Sequence, residues 1–225
     1  MIPACIEVPA GRFVRGGSAN DKFTNATELP RSEIEIEHPF RMSICPITVG
    51  DWQAWKQEGR GDCNPDLPVT RISWFQAMAY CEWLSRRSGK VWRMPTEVEW
   101  EYACRAGTST PFFTGDIIDT AQANFLYAED GLKVGVGEML PVGCYEANAF
   151  GLHDMHGNVC EWTCDPWRPT HASDAPVDSS RRVVRGGAWD YLPRMLRSSW
   201  RDALDPGTRR DNLGFRVVTE CRCPN

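Results

Sequence analysis

Apolar and polar residues alternate from Ile6 to Val14 and again from Ile34 to Met42, the period-2 pattern of half-buried strands. The first run turns at Gly16-Gly17, and the polar, aperiodic stretch from Ser18 to Pro30 predicts a surface loop. Helical spacing then takes over. Thr48 precedes a helix predicted over Val49 to Glu58, with Trp52 and Trp55 on one face and Gly59 to end it. Ser73 and Gln76 form a capping box that opens a second helix running to about Arg87, because the Ser hydroxyl and the Gln side chain can satisfy backbone N–H groups reciprocally. Trp74, Ala77, Cys81 and Leu84 share its inner face, and Gly89 closes it. Thr96 and Glu99 repeat the device after Pro95, which predicts a third helix from Glu97 to Arg105, stopped at Gly107.

Beyond Gly107 helical periodicity ends. Short apolar runs at Leu140 to Val142, Val159 to Trp162 and Val183 to Arg185 alternate with Gly, Pro, Asp and Asn. Tryptophans and aliphatics recur throughout, so the composition is not that of a disordered segment. The expectation is an α+β fold with low regular secondary structure and much ordered loop, residues 1–225 forming one domain. The 225 residues suffice to bury a core without disulfides or metal. Ten tryptophans beside 19 Gly and 16 Pro suggest irregular loops pinned by aromatic anchors.

The formal charge of −5 gives no general attraction to nucleic acid or to an anionic membrane. Its distribution is uneven. From Arg181 to Val218 nine Arg face four Asp, a local +5 that leaves −10 elsewhere. Two readings stand open: a basic face on an acidic body, or arginines that pair with carboxylates inside the fold. No apolar run of about 18 residues could span a membrane, so the chain is expected to be soluble, cytoplasmic or, had a leader been removed, secreted or surface-displayed. Ten cysteines are scattered, and the close pairs Cys160-x3-Cys164 and Cys221-x-Cys223 lack the histidine-supported spacing of a zinc site.

Three segments carry more than fold. They are Arg93 to Tyr102 (RMPTEVEWEY), Gly151 to Trp162 (GLHDMHGNVCEW), and Asn212 to Arg216 (NLGFR) that follows the turn at Gly186-Gly187-Ala188-Trp189. Together, in this order, they resemble the formylglycine-generating enzyme family, also called the sulfatase-modifying factor domain, from about Val8 to Val218. The resemblance implies a C-type lectin type of fold whose C-terminal segment displays residues on one face. It also spans several roles: copper-dependent oxidases, iron-dependent sulfoxide synthases, and the variable proteins of diversity-generating retroelements, which are receptors. Fold alone does not choose among them.

Departures from the family's pattern do. The oxidases place a cysteine pair shortly after the Gly-Gly-Ser-Trp turn, and here no cysteine occurs between Cys164 and Cys221. Thiolates are what select copper(I), so no copper is expected. Iron is not expected either, since the histidines are limited to His38, His153, His156 and His171. Cys81 and Cys104 match positions that form disulfides in secreted members, but the expected partner positions near Ser198 and Val217 are not cysteine, which predicts buried structural thiols. The resemblance implies one calcium site at Asp154, Gly157, Val159 and Glu161, an oxygen set suited to a hard cation. A second, at Asn124, Phe125 and the neighbourhood of Val134, lacks its acid, with Glu138 close by, and is expected to be empty or altered.

What remains is the displayed segment. Arg197, Arg201, Asp205, Pro206, Arg209 and Asn212 to Arg216 match the family frame. Between them fall Trp200, Asp202, Leu204, Thr208, Arg210 and Asp211, with Asp190, Tyr191, Leu192 and Met195 upstream. This mixture of aromatic, apolar and charged side chains is what a binding surface uses. The expected function is therefore a non-catalytic ligand-binding protein, resembling a retroelement variable protein, with these ten residues at the ligand, a protein partner, and no catalytic residue. The alternative is a cysteine-independent oxidoreductase or maturation factor using Trp189, Glu161 and Arg194. Nucleic-acid binding through the arginines is a weaker third.

Overall fold

The computed structural model describes residues 2–18, 20–56 and 63–221. Glu58, Gly59 and Cys223 lie outside them. The strands are β1 (Cys5–Val8), β2 (Gly11–Arg15), β3 (Ser32–Ile36), β4 (Phe40–Ser43), β5 (Trp92–Arg93), β6 (Cys160–Trp167), β7 (Asp178–Arg185), β8 (Asp202–Leu204), β9 (Leu213–Phe215) and β10 (Val218–Glu220). The helices are α1 (Val49–Lys56), α2 (Trp74–Ser88) and α3 (Glu97–Arg105). None of the described helices is long and apolar enough to cross a membrane.

Local signals placed the helices well. Both capping boxes form, Ser73 with Gln76 and Thr96 with Glu99, and Gly89 ends α2 in the left-handed conformation that a residue without Cβ adopts freely. Each alternating N-terminal run, by contrast, splits into two strands that enter different sheets. Proline explains this, since Pro9 and Pro39 fall at the breaks and cannot donate to a ladder. β2 and β3 pair with each other, whereas β1 and β4 join a sheet of order β1-β4-β10-β5. The run Leu140 to Val142 is no strand. Its Leu140 N–H and C=O bond the Asn158 side chain, and the Val142 N–H donates to the Asp66 carbonyl, so loop contacts replace a ladder.

The third sheet, β8-β7-β6-β9, organises the C-terminal half. β6 runs antiparallel to β7 and parallel to β9, with Cys160 opposite Leu213. The larger core packs α1 and α2 on this sheet, joining Tyr80, Cys81, Leu84, Trp162, Val184 and Phe215. A second core beneath α3 gathers Phe13, Met42, Trp100, Cys104 and Met155.

The arginines divide between the two readings: Arg181, Arg194, Arg209 and Arg210 are exposed, and four others turn inward. Arg185, Arg197, Arg201 and Arg216 are all buried and ion-paired. Arg197 grips Glu28 at 2.7 Å, Arg201 grips Glu97 at 2.6 Å, Arg185 grips Glu101 at 2.7 Å, and Arg216 grips Glu161 at 2.7 Å. The segment is thus tied internally to the acidic body, and these four do not form a basic face. Such buried charges persist because each is paired and hydrogen-bonded.

Candidate functional site

The turn after β7 sets the site. Gly186 and Gly187 both have positive φ, and a Cβ on Gly187 would sit 2.7 Å from the Met195 carbonyl oxygen, so the chain turns where no larger residue fits. The next residues, Asp190 and Tyr191, line an open basin of about 740 Å³ together with Arg71, Arg209, Arg210, Asp211 and Asn212. Its far wall is held by backbone bonds. The Arg71 N–H donates to the Arg210 carbonyl at 2.9 Å, and the Trp74 N–H to the Pro206 carbonyl at 3.0 Å.

Side chains in the basin are preset. Asn212 Nδ2 donates to both carboxylate oxygens of Asp190, at 2.8 and 3.1 Å. The Tyr191 side chain lies beside the buried Cys160 thiol. Burial raises the Cys160 thiol far above its ordinary value, and the thiol in turn, with burial second, raises Tyr191. Both are protonated near neutral pH, so neither offers a thiolate or a phenolate. Arg71 reaches Asp211 only at 4.0 Å, and both side chains are exposed, which leaves the guanidinium available.

The ten residues expected at a ligand do not share one surface. Asp190, Tyr191, Arg210 and Asp211 line the basin. Trp200 is only 8 % exposed and meets Tyr191 edge-on at 5.8 Å between ring centroids, so it supports the basin wall from behind. Met195 and Leu204 pack on the larger core. Asp202 accepts the Ala203 N–H within β8, and Leu192 and Thr208 are half-buried outside the basin lining. Arg71 was not foreseen. It lies far upstream, in a left-handed conformation with φ 57°, and no local pattern marks it.

The alternative catalytic group does not assemble. Glu161 is sealed in the core, both oxygens bonded by Arg216 and one also by Trp100 Nε1 at 2.7 Å. Arg194 is exposed and lies against Glu129 on a different depression, while Trp189 is half-buried.

For calcium, the donors at the turn are unequal. Asp154 Oδ2 accepts the Gly143 N–H at 2.8 Å, whereas its Oδ1 is buried without a partner. Burial accordingly raises this carboxyl above its usual range. That orphaned oxygen fits a hard cation; Glu161 is already saturated by Arg216. Near Asn124 an Oδ1 is likewise without a partner, while Nδ2 donates to the Glu138 carbonyl and to Asn158. His153 and His156 point elsewhere. His156 Nε2 accepts the Phe113 N–H at 3.0 Å, which leaves Nδ1 protonated toward the Leu196 carbonyl at 2.7 Å, and His153 Nδ1 meets the Tyr145 carbonyl. Cys104 is a buried thiol 3.5 Å from Ser198 Oγ, and Cys81 is buried as well.

Comparison with known proteins identifies the family and the fold. Residues 1–221 match the sulfatase-modifying factor enzyme 1-like domain. The chain is 36% identical over 224 residues to the formylglycine-generating enzyme of Mycobacterium tuberculosis, covering 81% of this chain and 73% of that one. It spans just 37% and 38% of the length of two Chlamydia relatives described as serine/threonine-protein kinase pkn1. Among solved structures, PvdO from Pseudomonas aeruginosa is similar with TM-score 0.86 and 29% identity, over 97% of this chain and 95% of that one. Treponema denticola variable protein 1 shares the fold, with TM-score 0.79 and 21% identity over 96% and 95%.

Proposed function

Since the chain belongs to the sulfatase-modifying factor family, that of the formylglycine-generating enzymes, we propose that it is a non-catalytic binding protein that holds a polar segment of a protein ligand in the Arg71–Asp190–Tyr191–Arg210 basin. One observation carries this reading: after the turn that the family's oxidases follow with a cysteine pair, this chain has no cysteine and presents Asp190, held by Asn212, beside Tyr191. Groups so held present a shape and a charge pattern without reorganising, which lowers the entropic cost of association. Tyr and Arg are also the side chains that most often dominate interface energies. Four of the segment's arginines are consumed inside the fold, which favours a protein segment over a nucleic acid.

Calcium on Asp154 is part of the same proposal, as a structural ion. It would be held by Asp154 Oδ1 and turn carbonyls, Glu161 being already engaged by Arg216.

The test is a peptide library displayed on phage and selected on the wild-type protein. Selected peptides should lose roughly tenfold or more in affinity for Tyr191→Ala and for Arg210→Glu, the latter, on an exposed side chain, with melting unchanged, as expected when a contact worth over 1 kcal/mol is removed. Peptides that bind both variants as well as the wild type remove the basin reading. Turnover of a substrate by the purified chain, or stoichiometric copper or iron in it, replaces that reading with an enzymatic one.

A further inference from the structure

On the other side of the same turn lies a second depression, of about 430 Å³. Its floor is the buried trio Phe112, Ile118 and Phe125. Its walls are apolar yet uncovered: Ile117 is 82% exposed and Val134 49% exposed. Such side chains lose apolar contact with water only if something fills the space between them. A concave apolar volume of some 300 to 1,000 Å³ with few polar groups at its mouth is the usual form of a small-molecule site.

The charges at the mouth decide the occupant. Of the lining cations, Arg197 is paired with Asp21 at 2.9 Å and Arg194 lies 3.3 Å from Glu129. Asp116 and Asp119 also line the depression, both exposed, and neither has an ion-pair partner among the described residues. The lining therefore carries two uncompensated carboxylates above an apolar floor. We infer that this depression binds a small amphiphilic cation, an aryl- or alkylamine whose hydrocarbon body rests on Phe112, Ile118 and Phe125 while its ammonium meets Asp116 and Asp119. It is separate from the basin, and the inference stands whether or not the basin binds protein.

The site has one adjustable wall. Ala128 lines it at a turn closed by its own backbone bonds to Leu132 and Gly131, so a larger side chain there enters the volume without disturbing the fold. Calorimetric titration with 2-phenylethylamine, and with 3-phenylpropionate as its oppositely charged counterpart, reads the assignment. The amine should bind saturably at one site and the acid roughly tenfold or more weakly, the ratio expected from two partly screened charges. Asp116→Asn with Asp119→Asn should erase that preference, and Ala128→Leu should abolish amine binding, both with unchanged melting. Arg210→Glu in the basin should leave amine binding intact. Equal affinity for amine and acid, amine affinity that survives both sets of substitutions, or no saturable heat from the amine would each overturn the proposal.

Discussion

Asn212 donates to both carboxylate oxygens of Asp190, so the turn that follows β7 is bonded to the residue that leads into β9. The contact joins two loops that the sheet alone would leave independent, and it fixes the charge that faces the basin. Asn212 is itself 6 % exposed. Asn212→Asp would set two carboxylates against each other in a site with little water. We expect a loss of about 1–3 kcal/mol, the usual penalty for an unmet buried polar group, in urea unfolding, together with loss of the peptides selected on the wild type. Unchanged stability would mean that the basin is not held by this pair.

The Trp200 ring and the Arg210 guanidinium separate support from contact. Trp200→Ala opens a cavity behind Tyr191 and should cost about 3–5 kcal/mol in stability. Arg210→Ala, on an exposed side chain, should change stability by no more than about 0.5 kcal/mol. Denaturation midpoints of the two variants check this directly, and equal effects would put Trp200 outside the core.

The fully buried pair of Glu161 and Arg216 predicts a large effect from a small change. Glu161→Gln keeps the shape but leaves a guanidinium in the core without its counter-charge, which should cost about 3–5 kcal/mol. Chemical denaturation measures it, and a loss below about 1 kcal/mol would show that water reaches Arg216.

Acid should loosen the fold through histidine. Burial holds His156 down to about 4 from 6.5, and His171 to about 3, so between these values and 6.5 the unfolded chain binds protons that the folded chain excludes. Stability therefore rises with pH across this window and falls as pH is lowered through it. Asp154 and Asp165, whose carboxyls burial raises, act in the opposite sense. Comparing His156→Gln with the wild type isolates the histidine contribution: the variant should show a shallower loss of urea midpoint from about pH 6.5 to about pH 4. Parallel curves would show that His156 does not carry it.

If calcium occupies Asp154, saturating calcium should raise the melting temperature over that in chelator, by the linkage of about 2.7 kcal/mol at a hundredfold excess over the dissociation constant. Asp154→Asn should remove most of the increment. No calcium-dependent change in the wild type ends the calcium proposal.

The sequence by itself determined the features that close over short windows. Two capping boxes, the glycine stop of α2 and the Gly186-Gly187 turn all depend on bonds between near neighbours, and each formed where its residues predicted. The absence of a thiol after that turn was equally plain, since it needs no structure to be read. Tertiary structure alone decided which sheet each half of a proline-broken run would enter, that Arg197 would meet Glu28 across most of the chain, that Trp200 would stand behind Tyr191, and that Arg71 would complete the basin. Burial and long-range pairing are set by which distant surfaces exclude water together, and that information resides in no single stretch of residues.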